Sequence, residues 1–175
     1  FIMFAEKVDK IQMMYRSMES FESDNNDRKV KMKISTKGRY ALRLMIYIAA
    51  NSNGKPVSIK DVAKNEDISD KYLEQIISIL NSGGLVRSVR GPQGGYLLRK
   101  APEDITVGAV LRLTEGTLAP VACVEEDAPE CERESICSTY NLWKQLYSAI
   151  CSVVDTTTIA DLCNSRPEAG DEYCI

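Results

Sequence analysis

Three cysteines share one acidic loop in the second half of the chain. Cys123, Cys131 and Cys137 are separated by seven and five residues. The first two lie within the segment 116–136, which has few apolar residues of its own, and Cys137 follows directly after it. Such a loop needs a cross-link or a bound group to order it, and three thiolates can supply three corners of a metal or iron–sulfur site. The spacing has no Cys-x-x-Cys pair, which argues against structural zinc. Three unliganded thiols and a labile redox disulfide are the alternatives.

The chain contains no histidine, and this restricts its chemistry. Every mechanism that needs an imidazole base is excluded, including Ser-His-Asp and Cys-His catalysis. Any metal must be held by Cys, carboxylate, Tyr, Asn or backbone groups. We do not expect an enzyme. An iron–sulfur electron carrier or redox enzyme would use the cysteines, but it would leave the basic part of the chain without a purpose.

The other cysteines do not extend the loop pattern. Cys151 and Cys163 are expected to be small buried hydrophobic residues rather than ligands. Six cysteines in 175 residues are too few for a disulfide scaffold, and the first residues lack the apolar core of a secretory signal. The longest apolar run, residues 41–50, is ten residues long and is interrupted by Arg43, so it is well short of the roughly 20 residues needed to cross a bilayer. We expect a cytoplasmic protein with reduced thiols and no membrane partner.

The helix predicted after Ser69 presents polar side chains that can read DNA. Its outward positions carry Lys71, Tyr72, Glu74, Gln75 and Ser78. A helix fits the major groove, where Gln pairs with adenine, Glu accepts a hydrogen bond from cytosine, and Lys or Tyr reaches phosphate or guanine. Further along the chain, Arg90 lies beside glycines that let the backbone approach a phosphate or a narrow minor groove. The alternative is a solvated face with no ligand.

Charged residues are divided unevenly along the chain. Residues 1–31 carry six basic and six acidic side chains, residues 32–101 carry twelve and five, and residues 102–175 carry four and fourteen. The net charges of these segments are therefore 0, +7 and −10. Such asymmetry indicates one part that binds a polyanion, joined to a part that does not compete for the same ligand. A chance distribution of solvated charges is the other interpretation.

Two helical patterns precede the polar helix. Apolar residues recur at helical spacing over residues 35–50, which predicts a buried amphipathic helix. Ser58 and Asp61 then form a capping-box pattern at the start of a short helix that reaches Lys64. Because a tight polar turn separates this short helix from the next one, the pair is typical of a helix-turn-helix.

A basic hairpin follows the second helix of the pair. Ser69 is the candidate N-cap of that helix, which ends at Gly83-Gly84 and buries a stripe made of Leu73, Ile76, Ile77 and Leu80. The β-prone runs 85–90 and 96–99 flank a glycine-rich turn over residues 91–95, and this arrangement predicts a hairpin. A helix-turn-helix followed at once by such a hairpin is a winged helix.

The chain after the wing contains two further helical patterns. Thr106 is the expected N-cap of a short helix that reaches Leu113. A long helix is expected from around Cys137 to Val154, with an apolar stripe made of Leu142, Leu146, Ala149, Ile150 and Val153. This stripe is wider than a lone helix on so small a part can cover internally, so we expect it to form a dimer seam. The predicted fold class is mainly α with a small β-hairpin wing: a winged helix-turn-helix plus a long dimerisation helix.

Four segments are predicted along the chain. They are an N-terminal extension outside the natural fold (1–31), the winged helix-turn-helix (32–101), the cysteine loop with the dimerisation helix (102–163) and a C-terminal tail (164–175). Met32 is the expected natural start because it opens the first clean periodicity. The extension is expected to hold at most a weak helix over 5–19, and a genuine regulatory arm is the alternative.

Three stretches resemble the IscR-type family of bacterial winged-helix regulators. They are residues 32–41 (MKISTKGRYA), 68–75 (ISDKYLEQ) and, above all, the wing residues 88–98 (SVRGPQGGYLL). The resemblance extends from residue 32 to about residue 163. It implies a homodimeric transcription factor, crossed by a long helix near 138–154, that binds a palindromic DNA operator.

The same resemblance implies roles for individual residues. Family members with three cysteines in the loop before the long helix bind an iron–sulfur cluster, commonly 2Fe-2S, and Cys123, Cys131 and Cys137 fall where those ligands lie. By similarity, Tyr72, Glu74 and Gln75 would read bases, while Arg90 would enter the minor groove. The full set of residues expected at the DNA is Lys37, Arg39, Ser69, Lys71, Tyr72, Glu74, Gln75, Arg90, Gly94 and Gly95.

The fourth ligand of such a cluster stays open. Tyr140 stands where the best-known cluster-sensing member has a histidine, and the first gap between cysteines is longer here. Nitric-oxide-sensing relatives use an aspartate near the N-terminus, but Arg39 occupies that place. Tyr140, Asn141, a loop carboxylate such as Glu130 or Glu134, and an exogenous thiol or water all remain candidates.

Two functional readings follow from the sequence. The first is a DNA-binding regulator that senses iron–sulfur status or redox signals through a cluster on the three-cysteine loop. It would control iron–sulfur cluster biogenesis or related stress genes. The second is a cluster-free regulator of the same fold that responds to cysteine metabolism or thiol oxidation.

Overall fold

The computed structural model describes residues 34–129 and 131–165. The helix predicted over 5–19 and the tail beyond residue 165 lie outside the described residues. In chain order the described elements are α1 (Thr36–Asn51), α2 (Ile59–Glu66), α3 (Asp70–Ser82), β1 (Val86–Val89), β2 (Gly95–Leu98), α4 (Val107–Glu115), α5 (Tyr140–Thr156) and α6 (Ile159–Asn164). Among these helices, none combines the length and hydropathy that crossing a bilayer requires. The predicted class, mainly helical with a small antiparallel wing, is confirmed.

Helix α1 is the centre of the hydrophobic core. Its apolar residues recur at helical spacing, and Ala41, Leu44, Met45 and Ile48 are each at most 1% exposed. The helices α2, α3, α4 and α6 and the strand β2 all pack against it. Ser35 caps its first turn by accepting a hydrogen bond from a backbone N–H. Every element that carries a candidate DNA contact is therefore tied to this one helix.

Helices α2 and α3 form the predicted helix-turn-helix. The hydroxyl of Ser58 accepts a hydrogen bond from the backbone N–H of Asp61 at 3.2 Å, so α2 begins where the sequence predicts. Asp67 adopts the left-handed conformation (φ 52°) and ends α2. Ser69 occupies the N-cap position of α3, although its side chain makes no capping hydrogen bond. Helix α3 buries the predicted stripe of Leu73, Ile76, Ile77 and Leu80.

The wing is anchored through its second strand to the segment before α2. Strands β1 and β2 pair so that Val86 faces Leu98 and Val89 faces Gly95. Val57 adds a bridge that the sequence pattern did not predict. Its N–H donates to the carbonyl of Tyr96 at 3.0 Å, and the N–H of Tyr96 donates to the carbonyl of Val57 at 2.8 Å. The wing is thereby fixed to the helix-turn-helix.

The chain after the wing returns to the same core. Thr106 caps α4 with its hydroxyl group, as predicted. Beyond α5, the N–H of Ile159 donates to the carbonyl of Ile105 at 2.9 Å, and the Ile159 side chain is completely buried. The short helix α6 packs on α1, where Cys163 Sγ lies 3.8 Å from the carbonyl oxygen of Ile46. Cys163 therefore packs against the core, as the sequence predicts, although it is half-buried rather than fully buried.

Helix α5 packs on α4 with one of its faces. Tyr147, Ile150 and Val154 contact the apolar residues of α4 and of the segment after it. No side chain of α5 is fully buried, and Leu142 and Val153 remain 55% and 63% exposed. The predicted apolar stripe is thus divided, because Ile150 packs inward while Leu142 and Val153 face solvent.

A complete capping box opens α6, where the sequence analysis predicted none. The hydroxyl of Thr158 accepts a hydrogen bond from the backbone N–H of Asp161 at 3.1 Å. In return, the Asp161 carboxylate accepts hydrogen bonds from the backbone N–H (2.8 Å) and the hydroxyl (2.7 Å) of Thr158. These hydrogen bonds lower the pKa of Asp161 below its ordinary value, and the bond from the backbone N–H of Thr158 has the largest effect.

We expect this cap to stop contributing to the stability of the fold in acid. The folded protein holds the Asp161 carboxyl at a lower pKa than the unfolded chain does. The cap therefore stabilises the fold above the unfolded pKa, and its effect disappears as the pH falls through the folded pKa. Asp161→Asn should lower the melting temperature at neutral pH, and its difference from wild type should shrink in acid. Circular dichroism melts over a pH series measure this, with Asp127→Asn as the control, and a difference independent of pH would refute it.

Candidate nucleic-acid interface and thiol cavity

Helix α3 has one buried face and one face open to solvent. Lys71, Glu74, Gln75 and Ser78 are all exposed, on the side away from the buried stripe. Glu and Gln offer the acceptors and donors that match base edges in a major groove, and Lys offers a charge for phosphate. The structure therefore places these four predicted side chains together on the exposed face of α3.

Tyr72 differs from the other predicted contacts on α3. Its side chain is half-buried and packs against the core. The Tyr72 ring meets the Tyr40 ring of α1 edge to face, with 5.9 Å between ring centroids and an angle of 82° between ring planes. The prediction that Tyr72 lies on the outward face is only half right, because the ring joins α3 to α1.

Arg43 on α1 makes the most extensive polar contacts near the helix-turn-helix, and sequence reasoning gave it no role. Its Nε lies 2.8 Å from Glu66 Oε2, and its Nη2 donates to the backbone carbonyl of Glu66 at 2.5 Å. The guanidinium also lies over the Tyr40 ring, 5.4 Å from the ring centroid. No local pattern could reveal this pair, because 23 positions separate its members.

The remaining helical candidates lie near the beginnings of α1 and α3. Lys37 is half-exposed, while Arg39 is exposed and its Nη2 donates to Thr36 Oγ1 at 3.4 Å. Ser69 is exposed directly before α3. The long contact to Thr36 leaves most of the donors of Arg39 available to a ligand.

The tip of the wing presents one cation on a tight turn. Arg90 is exposed, and the turn after it is closed by a hydrogen bond from the N–H of Gly94 to the carbonyl of Gly91 at 2.9 Å. A Cβ at Gly94 would collide with the carbonyl oxygens of Val89 and Gly91, and a Cβ at Gly95 would collide with the backbone at Val57. The two glycines predicted to contact DNA are therefore required by the close packing of the wing itself.

A cavity of about 410 Å³ lies between the cysteine loop and one face of α5. We call it the thiol cavity. Its lining consists of Cys123, Val124, Glu125, Ala128, Pro129, Cys131, Glu134, Tyr140, Lys144, Tyr147, Ser148 and Cys151. The helical residues among these recur every three or four positions, so they form one face of α5. The loop itself contains two 3-10 turns, Ala122–Val124 and Glu134–Ile136, and is more regular than the sequence predicts.

The three loop cysteines are not equivalent. Cys123 and Cys131 are half-buried and line the thiol cavity, whereas Cys137 is exposed and lies outside its lining. Cys137 Sγ lies 3.5 Å from the hydroxyl oxygen of Thr139. Hydrogen bonding to Thr139 lowers the pKa of the Cys137 thiol below its ordinary value. A thiolate is both the metal-binding and the nucleophilic form of cysteine, so this thiol is prepared for either role.

The candidates for a fourth ligand are placed differently around the cavity. Tyr140 and Glu134 line it, Asn141 is exposed outside it, and Glu130 lies outside the described residues. Partial removal from water, followed by the charge of Glu134, raises the pKa of Tyr140. A raised pKa disfavours the phenolate form that a metal ligand requires, and so weakens the case for Tyr140.

Cys151 also reaches the cavity, contrary to the prediction that it is a buried hydrophobic residue. Its Sγ lies 3.6 Å from Arg112 Nη2 of α4, and the Arg112 guanidinium is paired with both carboxylate oxygens of Asp155. This pairing lowers the pKa of Asp155, and the hydrogen bond from Arg112 has the largest effect. The helical spacing of Cys151 from Tyr140, Lys144 and Tyr147 is the sequence signal that could have placed it on the cavity side.

The donor set suits an iron–sulfur cluster in type, although the described residues do not gather it at one point. Cys thiolates are the usual ligands of such clusters. Cys123 and Cys131 already share one cavity, and Cys137 follows in the same loop. Over residues 34–129 and 131–165, however, no three Cys, Asp or Glu side chains converge closely enough to hold a metal ion. Cys137 must therefore turn inward before three thiols could bind one group.

Comparison with known proteins agrees with this geometry. A family model described as Rrf2, iron-dependent transcriptional regulator, matches residues 34–165. The HTH-type transcriptional regulator CymR of Bacillus subtilis is 42% identical over 81% of this chain and 97% of its own length. The HTH-type transcriptional regulator IscR of Yersinia pseudotuberculosis is 38% identical over 77% of this chain and 81% of its own length.

Solved structures show the same likeness. The structure of CymR, titled the global cysteine regulator of B. subtilis, superposes with a TM-score of 0.64 at 41% identity, covering 77% of this chain and 98% of that one. The structure of T. potens IscR superposes with a TM-score of 0.62 at 34% identity, covering 81% of this chain and 93% of that one. Both CymR and IscR therefore resemble this chain in fold, at similar sequence identity.

Proposed function

The chain belongs to the Rrf2 family of transcriptional regulators, and on that premise we propose that it is a homodimeric, cluster-sensing DNA-binding protein. It binds a palindromic operator through α3 and the wing, and it responds to iron–sulfur status or a redox signal through Cys123, Cys131 and Cys137. The observation that carries the proposal is the thiol cavity, because it joins two of these thiols directly to α5. Since thiols stay reduced in the cytoplasm, we place the regulator there.

The DNA-binding part of the proposal rests on the open face of α3. Glu74 and Gln75 are exposed side by side, next to Lys71, while the opposite face of the helix is buried in the core. The wing adds Arg90, which suits a phosphate or a narrow minor groove. A core-anchored helix with exposed hydrogen-bonding side chains is what direct readout of base edges requires.

The sensing part rests on contacts that run from the cavity to the DNA-binding helix. Cys151 on the cavity wall contacts Arg112 of α4. The next residue, Leu113, packs so closely on Gly83 at the end of α3 that a Cβ at Gly83 would collide with it. A change in the loop can therefore bias the position of α3 through α4. Such a switch is a shift between two populations, limited by how differently they bind the sensed group.

The residues that would hold a cluster are Cys123, Cys131 and Cys137, with a fourth ligand still to be identified. When bound, a cluster supplies a redox-active iron centre whose retention depends on iron, sulfide and oxidants. The protein's own part is to turn Cys137 inward, to shield Cys123 and Cys131 in the cavity and to pass the ordering of the loop to α5.

A second candidate function has its own support. The exposed Cys137, with its lowered pKa, also suits a cluster-free regulator that responds to thiol oxidation or cysteine metabolism. The similarity to CymR, whose structure is titled the global cysteine regulator, points the same way. Operator affinity of metal-free protein discriminates the two, because only the second candidate regulates DNA binding without iron.

We expect Gln75→Ala to weaken operator binding selectively. Loss of a bidentate contact to one base should cost about 1–3 kcal/mol, or roughly 5- to 150-fold in Kd, and relax sequence preference at one position of each half-site. The probe is a duplex enriched from a random-sequence library by the wild-type protein, with binding followed by fluorescence anisotropy. Glu103→Ala, on the exposed turn after the wing, truncates a side chain of similar length outside the proposed DNA interface and the proposed dimer seam. If the Gln75 variant and wild type bind every single-base variant of this duplex with equal affinity, Gln75 does not contact a base.

A further inference from the structure

We propose that Arg43 and Glu66 form a clamp that positions the recognition helix α3, and that Arg43 acts through this clamp rather than by contacting DNA. The inference rests on the proposed DNA-binding function. It adds two positioning residues that are not among the expected DNA contacts.

The clamp joins α1 to the end of α2 through one guanidinium group. Arg43 extends from α1 to Glu66, the last residue of α2, and there binds both the carboxylate at 2.8 Å and the backbone carbonyl at 2.5 Å. The carbonyl contact satisfies an acceptor that the end of a helix leaves without a partner. Asp67 follows in the left-handed conformation and begins the turn into α3. The clamp therefore holds the helix end from which the recognition helix departs.

An aromatic contact carries the clamp into α3 itself. The Arg43 guanidinium lies over the Tyr40 ring, and the edge-to-face contact of Tyr40 with Tyr72 reaches the first turn of α3. Glu74 and Gln75 follow within the next turn. A tilt of α3 that followed loss of the clamp would therefore displace the side chains proposed to read bases.

Arg43 uses two of its five N–H donors within the protein, on Nε and Nη2, and both go to Glu66. Its side chain is 44% exposed, but its partner Glu66 is only 11% exposed, so the ion pair is shielded on the Glu66 side. A planar guanidinium can bind the carboxylate and the carbonyl together, whereas a lysine ammonium lacks that fixed fork of donors. The nearby Arg39 has no such acidic partner among its described hydrogen bonds and ion pairs, and it keeps most of its donors for a phosphate.

Two conservative variants separate positioning from phosphate contact. Arg43→Lys keeps the charge but loses the paired bonds, and Glu66→Gln removes the acidic partner and leaves Arg43 in place. We expect each variant to bind the enriched duplex about tenfold more weakly, because misplaced base contacts are worth about 1–3 kcal/mol each. Affinity for a scrambled duplex, and the salt dependence of binding, should remain those of wild type, since the number of phosphates contacted does not change.

A direct phosphate contact predicts the opposite pattern. Arg43→Lys would then bind nearly as well as wild type, and Glu66→Gln would bind both duplexes equally well or more tightly because it frees the arginine. Removing the charge with Arg43→Gln would lower the salt slope by about one. Glu103→Gln, on the exposed turn after the wing, controls for the loss of one acidic charge. Any of these phosphate-contact results would overturn the clamp.

The measurements also separate the clamp from the proposed function. If wild-type protein enriches no duplex from the library, the DNA-binding proposal itself fails. If wild type enriches one and both folded variants bind it like wild type, only the clamp fails. Circular dichroism melts show whether each variant is folded at the assay temperature. Should Arg43→Lys unfold, Glu66→Gln still decides, because a mere loss of stability would not lower the ratio of specific to non-specific affinity in the folded protein.

Discussion

Replacing Leu142 and Val153 together by glutamate will convert the protein from dimer to monomer and weaken operator binding by about 10²- to 10⁴-fold, the usual gain from linking two binding sites. Both side chains are more than half exposed on α5, eleven positions apart on one face of the helix. A neighbouring face of α5 packs on α4. An apolar stripe that is exposed in one chain is the expected interface of a symmetric dimer. In the variant, the two glutamates of one chain would face the two glutamates of its partner across this interface, and their like charges would repel.

Sedimentation velocity and anisotropy with the enriched duplex measure this result. Ser152→Glu adds a charge to the same helix one position away from Val153, turned by about 100° from it, and should leave the dimer intact. A doubly substituted protein that remains dimeric, or a monomer with wild-type operator affinity, would contradict the assignment of this face.

Replacing Cys137 with alanine will uncouple operator binding from iron. In wild type we expect a change in operator Kd of about 5- to 150-fold between protein loaded anaerobically with iron and sulfide and protein stripped by a chelator, the usual range of coupling between two sites. In the variant, the ratio of the operator Kd values of loaded and stripped protein should fall to about one. The exposed Cys137 is the most informative position because its loss disturbs no packing in the described structure.

Cys163→Ala is the matched control. It also removes one thiol, but from the core between α6 and α1. The control should bind as much iron as wild type and keep the full ratio of affinities. If Cys137→Ala also keeps it, the loop does not sense iron. A cluster-free thiol regulator would instead show no iron-dependent ratio in any of these proteins, and a response to peroxide that Cys137→Ala loses.

Local patterns were sufficient to predict the elements that carry the interface. The stripe Leu73, Ile76, Ile77 and Leu80 specifies both the buried and the open face of α3, since helical periodicity alone decides which side chains share a face. The glycine-rich turn predicts the wing for a similar reason, because the requirements of a tight turn are local. The serine and threonine caps were predicted where a single side chain meets a nearby backbone amide.

Contacts between distant parts of the chain could not be predicted in this way. The Arg43–Glu66 pair and the Arg112–Asp155 pair each depend on how two helices dock, and an exposed charge pattern contains no information on docking. Tyr72 was expected on the open face because its position on α3 allows it. The Tyr40 ring of α1 competes for it, which only the packing of α1 on α3 reveals.

The thiol cavity shows both what the sequence predicts and what it does not. The loop spacing indicates a shared role for Cys123, Cys131 and Cys137, but it cannot show that only the first two line one cavity. Cys151 was expected in the core because cysteine is usually buried. The structure places it on the cavity wall, since α5 packs on α4 through Tyr147, Ile150 and Val154 and leaves the adjacent face to the loop.

The most direct test of the central claim is the visible absorption spectrum of anaerobically purified protein, with iron and acid-labile sulfide assayed on the same sample. Cluster sensing predicts brown protein with near-stoichiometric iron and sulfide, and loss of the colour in Cys123→Ala and Cys137→Ala but not in Cys163→Ala. Protein that stays colourless after anaerobic reconstitution, yet binds its enriched duplex, would contradict cluster sensing and assign the loop cysteines to thiol chemistry without iron.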